Sequence, residues 1–257
     1  MPLENITTYY INLDFRTDRN IDVSEKLINK LGFSETNIYR FSAIDGKNLI
    51  DELKNKNYID DEIITMIKNL DIRYKSTELA CLLSHYFLLK QIVNNPNITD
   101  NELIFIFEDD FFINEKYLQQ NSFSNIILEL ENYKNTNDFD IIYFGGRFNL
   151  NFNPLNHDNS FIKINNESNL YLRTNGSGYN WDRTLHNYII NKKRAKNLLN
   201  LIIENFKQNK KIIHEIDHLY CNGTLKSLDY FPHIFYSPLN YTSDIQFSDI
   251  FINTKNI

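Results

Sequence analysis

The stretch from Leu103 to Phe107 is wholly apolar and runs without a break into Glu108, Asp109 and Asp110. An extended segment with no polar face must be covered on both sides, as happens in a parallel sheet held between layers of helix. Strand-sized apolar runs recur along the chain, at Thr8 to Leu13, Ile38 to Ala43, the FDIIYF segment, Tyr188 to Ile190 and Tyr230 to Tyr236. Longer segments of helical spacing separate them, which is the alternation of an α/β protein. The clearest is TELACLLSHYFLLKQIVNN, where Leu79, Leu82, Leu83, Tyr86, Leu89 and Val93 recur at helical intervals and predict one apolar face, closed by Pro96. Further helices are predicted over Ile21 to Leu31 with Gly32 as cap, twice within Leu49 to Leu70, over Tyr117 to Leu130 and over Arg194 to Phe206. Gly145-Gly146 reads as a turn, as does Asp45-Gly46. Residues 149–183, rich in Asn, Gly and Ser, are predicted to form a loop or hairpin insertion within a single domain.

Composition narrows the function classes. The chain has 257 residues, enough for one sizeable α/β core. A net charge of −6 argues against an electrostatic nucleic-acid binder, which needs a basic stripe. Two cysteines, Cys81 and Cys221, exclude a disulfide framework and a four-cysteine zinc site. No run approaches the length of a transmembrane helix, and MPLENITTYYINLD lacks the basic and apolar regions of a secretory signal, so a cytoplasmic setting, bacterial or viral, is expected.

The three acids leave the strand at its carboxyl end, the edge where open α/β sheets bind ligands. Alternation in an extended chain sends Glu108 and Asp110 one way and Asp109 the other. Two hard carboxylates on one side suit Mn2+ or Mg2+ with a diphosphate, although an acidic strand end can equally be a solvated turn. Arg16 and Arg19, in NLDFRTDRN after the first strand, can meet a phosphate or fix a carboxylate. His85, alone on a mostly apolar helix, reads locally as a hydrogen-bonded core residue. HEIDHLY contains the H-E-x-x-H string at His214 and His218, but no third zinc ligand stands at a suitable spacing.

Taken in order, YYINLDFRTDRN, FSAIDG, STELACLLSHYFLL and IFIFEDD resemble glycosyltransferase family 25, which includes lipooligosaccharide and collagen galactosyltransferases. The looser matches FDIIYFGG, TLHNYIINKKRAKNLL, HEIDHLY and SPLNYTSDI carry the resemblance across nearly the whole chain. It implies a GT-A fold, a Rossmann-like, mostly parallel sheet flanked by helices. It also implies an inverting, Mn2+-dependent (or Mg2+-dependent) transfer of galactose or glucose from a UDP-sugar to a glycan or glycoprotein acceptor. On that resemblance Glu108 and Asp110 are expected at the metal, and Asp109 at the ribose or sugar. Asn12, Arg16 and Arg19 are expected beside the nucleotide and Asp45 near the base or ribose, with Glu78 and His85 as further site residues. Asp217 is the expected catalytic base, with Glu215 and Asp244 as alternatives, and Trp181 is a candidate for stacking on an acceptor sugar. A catalytically silent relative that binds a nucleotide sugar or a partner protein is the alternative. A haloacid-type phosphatase is disfavoured, because Glu108 stands where that chemistry needs a nucleophilic Asp.

Overall fold

A computed structural model describes residues 3–58, 61–68, 75–136, 138–146, 161–173, 186–208, 216 and 225–237. The first strand, β1 (Thr7–Asn12), leads into α1 (Thr17–Glu25), which continues as a π turn over Lys26–Lys30. Gly32 follows with φ of +83°, so the chain reverses through the left-handed region where a glycine is favoured. Next come β2 (Ile38–Ser42), a 3-10 turn (Gly46–Asn48), α2 (Leu49–Asn55), α3 (Asp61–Lys68) and the long α4 (Ser76–Asn94). After β3 (Leu103–Glu108) the elements are β4 (Phe112–Ile113), α5 (Glu115–Leu118), α6 (Phe123–Thr136), β5 (Ile141–Tyr143) and β6 (Gly145–Gly146). The rest comprises β7 (Phe161–Lys163), β8 (Leu170–Arg173), β9 (Asn187–Asn191), α7 (Lys192–Gln208), β10 (Ser227–Tyr230) and β11 (Phe235–Tyr236).

Eight strands form one sheet in the order β2-β1-β3-β9-β5-β10-β8-β7. The pairs β1–β2, β1–β3 and β5–β10 are parallel, while β9 runs antiparallel between β3 and β5. Six strands therefore share one direction, and only β8 and β9 oppose them. Alternate residues feed two cores. Tyr9, Ile11, Ile104, Ile106, Tyr188 and Ile190 pack with α4 and α7 on one face. Tyr10, Leu103, Phe105, Phe107 and Ile189 pack with Val23, Leu27, Ile126 and Leu130 of α1, its π turn and α6 on the other. The outcome is a mixed α/β domain with helices on both faces of its sheet, as the apolar runs require. None of the described helices is long and apolar enough to cross a membrane.

Four elements differ from their sequence patterns. The single strand predicted over Tyr230 to Tyr236 is two, β10 ending at Tyr230 and β11 at Phe235–Tyr236, in different sheets. The single apolar face predicted for α4 understates its burial, because Ser76, Thr77, Ser84, His85 and Phe87 are buried along with the apolar stripe. The helix packs against α7, α2 and the 3-10 turn as well as the core beneath it, so little of its circumference meets solvent. Gly145-Gly146 is not a turn but a short strand pairing with β11 in a second, three-stranded sheet, β4-β11-β6. A Cβ on Gly145 would lie 2.6 Å from both Asn187 Nδ2 and Phe235 O, so close approach and not chain reversal requires the glycine here. The helix predicted over Tyr117 to Leu130 is two, α5 and α6, divided at Gln119–Ser122. Of residues 149–183, the described part is a hairpin, β7 against β8, extending the main sheet.

Candidate active site

Strand β3 carries Glu108 to the carboxyl edge of the sheet, and β9, being antiparallel, brings its own beginning to the same edge. Glu108 N donates to His186 O at 2.9 Å, extending the ladder by one residue beyond the Phe107–Asn187 pair. This contact sets the His186 side chain beside the acids. His186 Nδ1 lies 2.9 Å from Asp110 Oδ1 and 3.4 Å from Glu108 Oε2. The other Glu108 oxygen, Oε1, faces α4, where His85 Nε2 stands at 3.2 Å and Cys81 Sγ at 3.7 Å. His85 is completely buried, and its Nδ1 shares a 2.9 Å hydrogen bond with the Tyr188 hydroxyl.

Asp109 points the opposite way, into a polar network of its own. Its Oδ1 accepts from Arg19 Nη1 and its Oδ2 from Asn12 Nδ2, each at 2.7 Å. Asn12 Nδ2 also donates to Arg16 O at 3.2 Å, while its Oδ1 accepts from Arg40 Nε at 2.9 Å. Both sides of the amide are thereby fixed. Arg40 continues the network to Asp14 at 2.6 Å. Arg19 is therefore held against a carboxylate, whereas Arg16 reaches outward to Asp18 at 2.8 Å.

Between β1, β3 and α4 lies an open cavity of about 100 Å³. Glu108, Asp109, Asp110 and Arg19 line it on the sheet side, Thr77, Cys81 and Ser84 on the α4 side, and Phe15, Asp45, Gly46 and Lys47 border it from the loops. Asp45 Oδ1 accepts from Lys47 N at 2.9 Å and so caps the 3-10 turn. A Cβ on Gly46 would stand 2.4 Å from Thr77 Cα, so this turn can lie against the start of α4 only with glycine there. Glu78, half-buried in the first turn of α4, is not among the cavity-lining residues. Asp217, Glu215, Asp244 and Trp181 lie outside the described residues.

The electrostatics divide along the same line. Burial would lower the His186 pKa, but the charge of Asp110 and hydrogen bonds to Asp110 and Glu108 outweigh it and push the value up to about 10. His186 is then an imidazolium at neutral pH. Burial would raise the Glu108 pKa, yet hydrogen bonds from His186 and His85 hold its carboxyl well below the usual carboxylate range. For Asp109 burial prevails: its pKa is raised, with Arg19 and Asn12 offsetting only part of the effect.

Two groups of donor atoms here converge tightly enough for a metal ion: Glu108, Asp110 and His186, and Cys81, His85 and Glu108, with all ligand atoms of each group within 4.8 Å of one another. The first offers carboxylate oxygens and one imidazole nitrogen, a donor set that fits Mn2+ or, less selectively, Mg2+. Sequence reasoning paired Glu108 with Asp110 through strand alternation but did not identify His186, Cys81 or Tyr188. His186 is distant in sequence from the acids, and only the antiparallel insertion of β9 brings it to them.

With Glu108 and Asp110 at the carboxyl end of a central strand and an open cavity beside them, the site has the form of a ligand-binding sheet edge. Comparison with curated proteins gives no match. The family model for glycosyltransferase family 25, described as an LPS biosynthesis protein, matches residues 5–220 and so spans the cavity, the acids and His186. The chain belongs to glycosyltransferase family 25 and is a glycosyltransferase.

Proposed function

We propose that this glycosyltransferase moves a hexose, galactose or glucose, from a UDP-sugar to a hydroxyl of a glycan or protein acceptor, with inversion at the anomeric carbon. The description of its family favours a lipopolysaccharide-type glycan as acceptor, and the proposed setting is cytoplasmic. The observation that carries the proposal is the convergence of Glu108, Asp110 and His186, with the two acids lining an open cavity. In this reading Glu108 and Asp110, with His186 beside them, hold Mn2+ or Mg2+. When bound, the ion supplies positive charge against the leaving diphosphate. Asn12 and Arg19 hold Asp109 at the cavity floor. Asp45 and Lys47 border the cavity from the loop side, where the base and ribose would enter, whereas Arg16, turned outward to Asp18, does not line it. Inversion takes one in-line displacement: the acceptor oxygen bonds to the anomeric carbon as the bond to the β-phosphate oxygen breaks, and a carboxylate takes the acceptor proton. Asp217 is assigned that proton, with Glu215 and Asp244 as alternatives. Alignment of donor and acceptor in one cavity removes part of the entropic barrier.

The test is a thermal-shift screen against UDP-sugars, each with Mn2+ and with EDTA. A ligand at a hundredfold excess over its Kd stabilises the folded state by about 2.7 kcal/mol. One UDP-sugar is expected to give a shift that EDTA abolishes and that Asp110→Ala loses. Asp217→Asn is expected to keep the shift and lose turnover. A shift indifferent to EDTA would remove the metal from the mechanism, and no shift with any nucleotide sugar would overturn the donor assignment.

A further inference from the structure

Glu108 presents its two oxygens to different partners. Oε2 faces His186, while Oε1 faces His85 and Cys81 of α4. We propose that Cys81, His85 and Glu108 Oε1 form a second metal site, selective for a thiophilic divalent ion of the Zn2+ class, adjoining the Glu108, Asp110 and His186 group and sharing Glu108 with it.

Cys81 and His85 stand four residues apart on α4, a spacing that puts both side chains on one helical face. Glu108 closes the triangle from the end of β3. The measured edges are 3.2 Å from His85 Nε2 to Glu108 Oε1 and 3.7 Å from Cys81 Sγ to the same oxygen. Zinc bonds of about 2.0–2.3 Å at tetrahedral angles require edges of about 3.3–3.7 Å, so both edges to Glu108 stand close to coordinating separations, and all three ligand atoms lie within 4.8 Å of one another.

A second feature points the same way. Imidazoles that bind metals characteristically donate their other ring N–H to a fixed acceptor, which sets the tautomer and aims the free lone pair. His85 Nδ1 is engaged by the Tyr188 hydroxyl at 2.9 Å, and the two rings stack at 5.7 Å. Without an ion Nε2–H donates to Glu108; on binding the proton passes to Nδ1, where the Tyr188 oxygen accepts it, and the freed Nε2 lone pair faces the point where Glu108 and Cys81 converge. Cys81 and Glu108 also line the open cavity, which gives an ion an entry path and leaves a fourth position for water or substrate. On binding, Cys81 gives up its thiol proton to solvent and coordinates as the thiolate, and this ligand favours Zn2+ over Mn2+ or Mg2+.

The test uses Co2+ as a spectroscopic probe on the full chain, reduced with a phosphine. Thiolate coordination gives an intense near-ultraviolet charge-transfer band, and tetrahedral geometry gives visible absorption. Wild type is expected to show both at one equivalent, with Zn2+ displacing the Co2+. The chain has only one other cysteine, so Cys221→Ser should retain the band and Cys81→Ser should lose it. In unaltered protein, Zn2+ should also slow alkylation of Cys81 at least tenfold, read by peptide mass, and this arm needs no variant to fold. Absence of the band in wild type, its survival in Cys81→Ser, or unprotected alkylation would each overturn the proposal. None of these readouts depends on UDP-sugar binding, so the second site and the transferase mechanism can fail separately.

Discussion

Replacing Asp109 by alanine should act first on stability. Asp109 and Arg19 are both nearly excluded from solvent, with side-chain exposures of 10% and 6%. The substitution leaves the Arg19 guanidinium buried without the Asp109 carboxylate and removes one of the two acceptors of the Asn12 amide, leaving Arg16 O. Breaking a buried pair by deleting one partner costs about 3–5 kcal/mol, because the remaining charge keeps its desolvation penalty. In a chain of this size each kcal/mol lowers Tm by about 2–4 °C, so Asp109→Ala should melt about 6–20 °C below wild type. Asp18→Ala provides the contrast: it breaks the Arg16–Asp18 pair, in which Asp18 is 66% exposed, so solvent screening leaves little to lose and its Tm should stay close to wild type. Scanning calorimetry of both variants, with urea titration as a check, measures the difference. An Arg19→Met, Asp109→Leu double variant should recover much of the loss, since it removes both charges and keeps volume. Equal melting of Asp109→Ala and Asp18→Ala would refute the reasoning and return Asp109 to the ligand as a binding group.

Other perturbations probe different parts of the molecule. Gly46→Ala should cost about 1–3 kcal/mol and weaken UDP-sugar binding in titration calorimetry, because a Cβ would push the turn bearing Asp45 and Lys47 off the α4 backbone. His186→Gln should destabilise the metal-free protein at pH 7, where the imidazolium neutralises Glu108 and Asp110. Its folded pKa of about 10 exceeds the unfolded value near 6.5, so that contribution is full below pH 6.5 and is lost as pH rises through 10. Urea midpoints of variant and wild type should therefore converge at alkaline pH. His233 has the opposite sign. Burial lowers its pKa to about 4, with the nearby Arg173 acting the same way and Asp229 opposing, so the unfolded chain binds the extra proton between pH 6.5 and 4. Wild type should lose about 3 kcal/mol from this group as pH falls across that window, a slope that His233→Gln should remove.

The parts of the fold legible in the sequence were those with local causes. Apolar runs marked β1, β2, β3, β5 and β9, and strand alternation separated Glu108 and Asp110 from Asp109 before any contact was known. What escaped depends on pairing between distant segments. Nothing near Gly145 says that a strand from the far end of the chain will lie against it, so the glycine pair reads as a turn. Nothing near His186 says that its strand will run against β3 and deliver the ring to two carboxylates. The arginines show a subtler limit. Arg16 and Arg19 look equivalent in sequence, yet one meets a surface aspartate and the other a buried one, because the helix turns only Arg19 inward.

The placement of β9 has a consequence for how the molecule comes together. Strands β3 and β5 are not neighbours; each pairs with β9, which follows both in the chain. Until β9 arrives, and β10 after it, the sheet exists as separate pieces, the β1–β3 unit, β5 and the β7–β8 hairpin, each with an open edge ready to pair. A nascent or truncated chain ending before His186 can fold its amino-terminal β1, β2 and β3 unit but cannot join it to β5. It also lacks His186 and Tyr188, the residues that engage Glu108, Asp110 and His85. Joining the β1–β3 unit to β5 and completing the acid cluster are thus a single late event, so a molecule without β9 has no finished site and exposes open strand edges prone to aggregation.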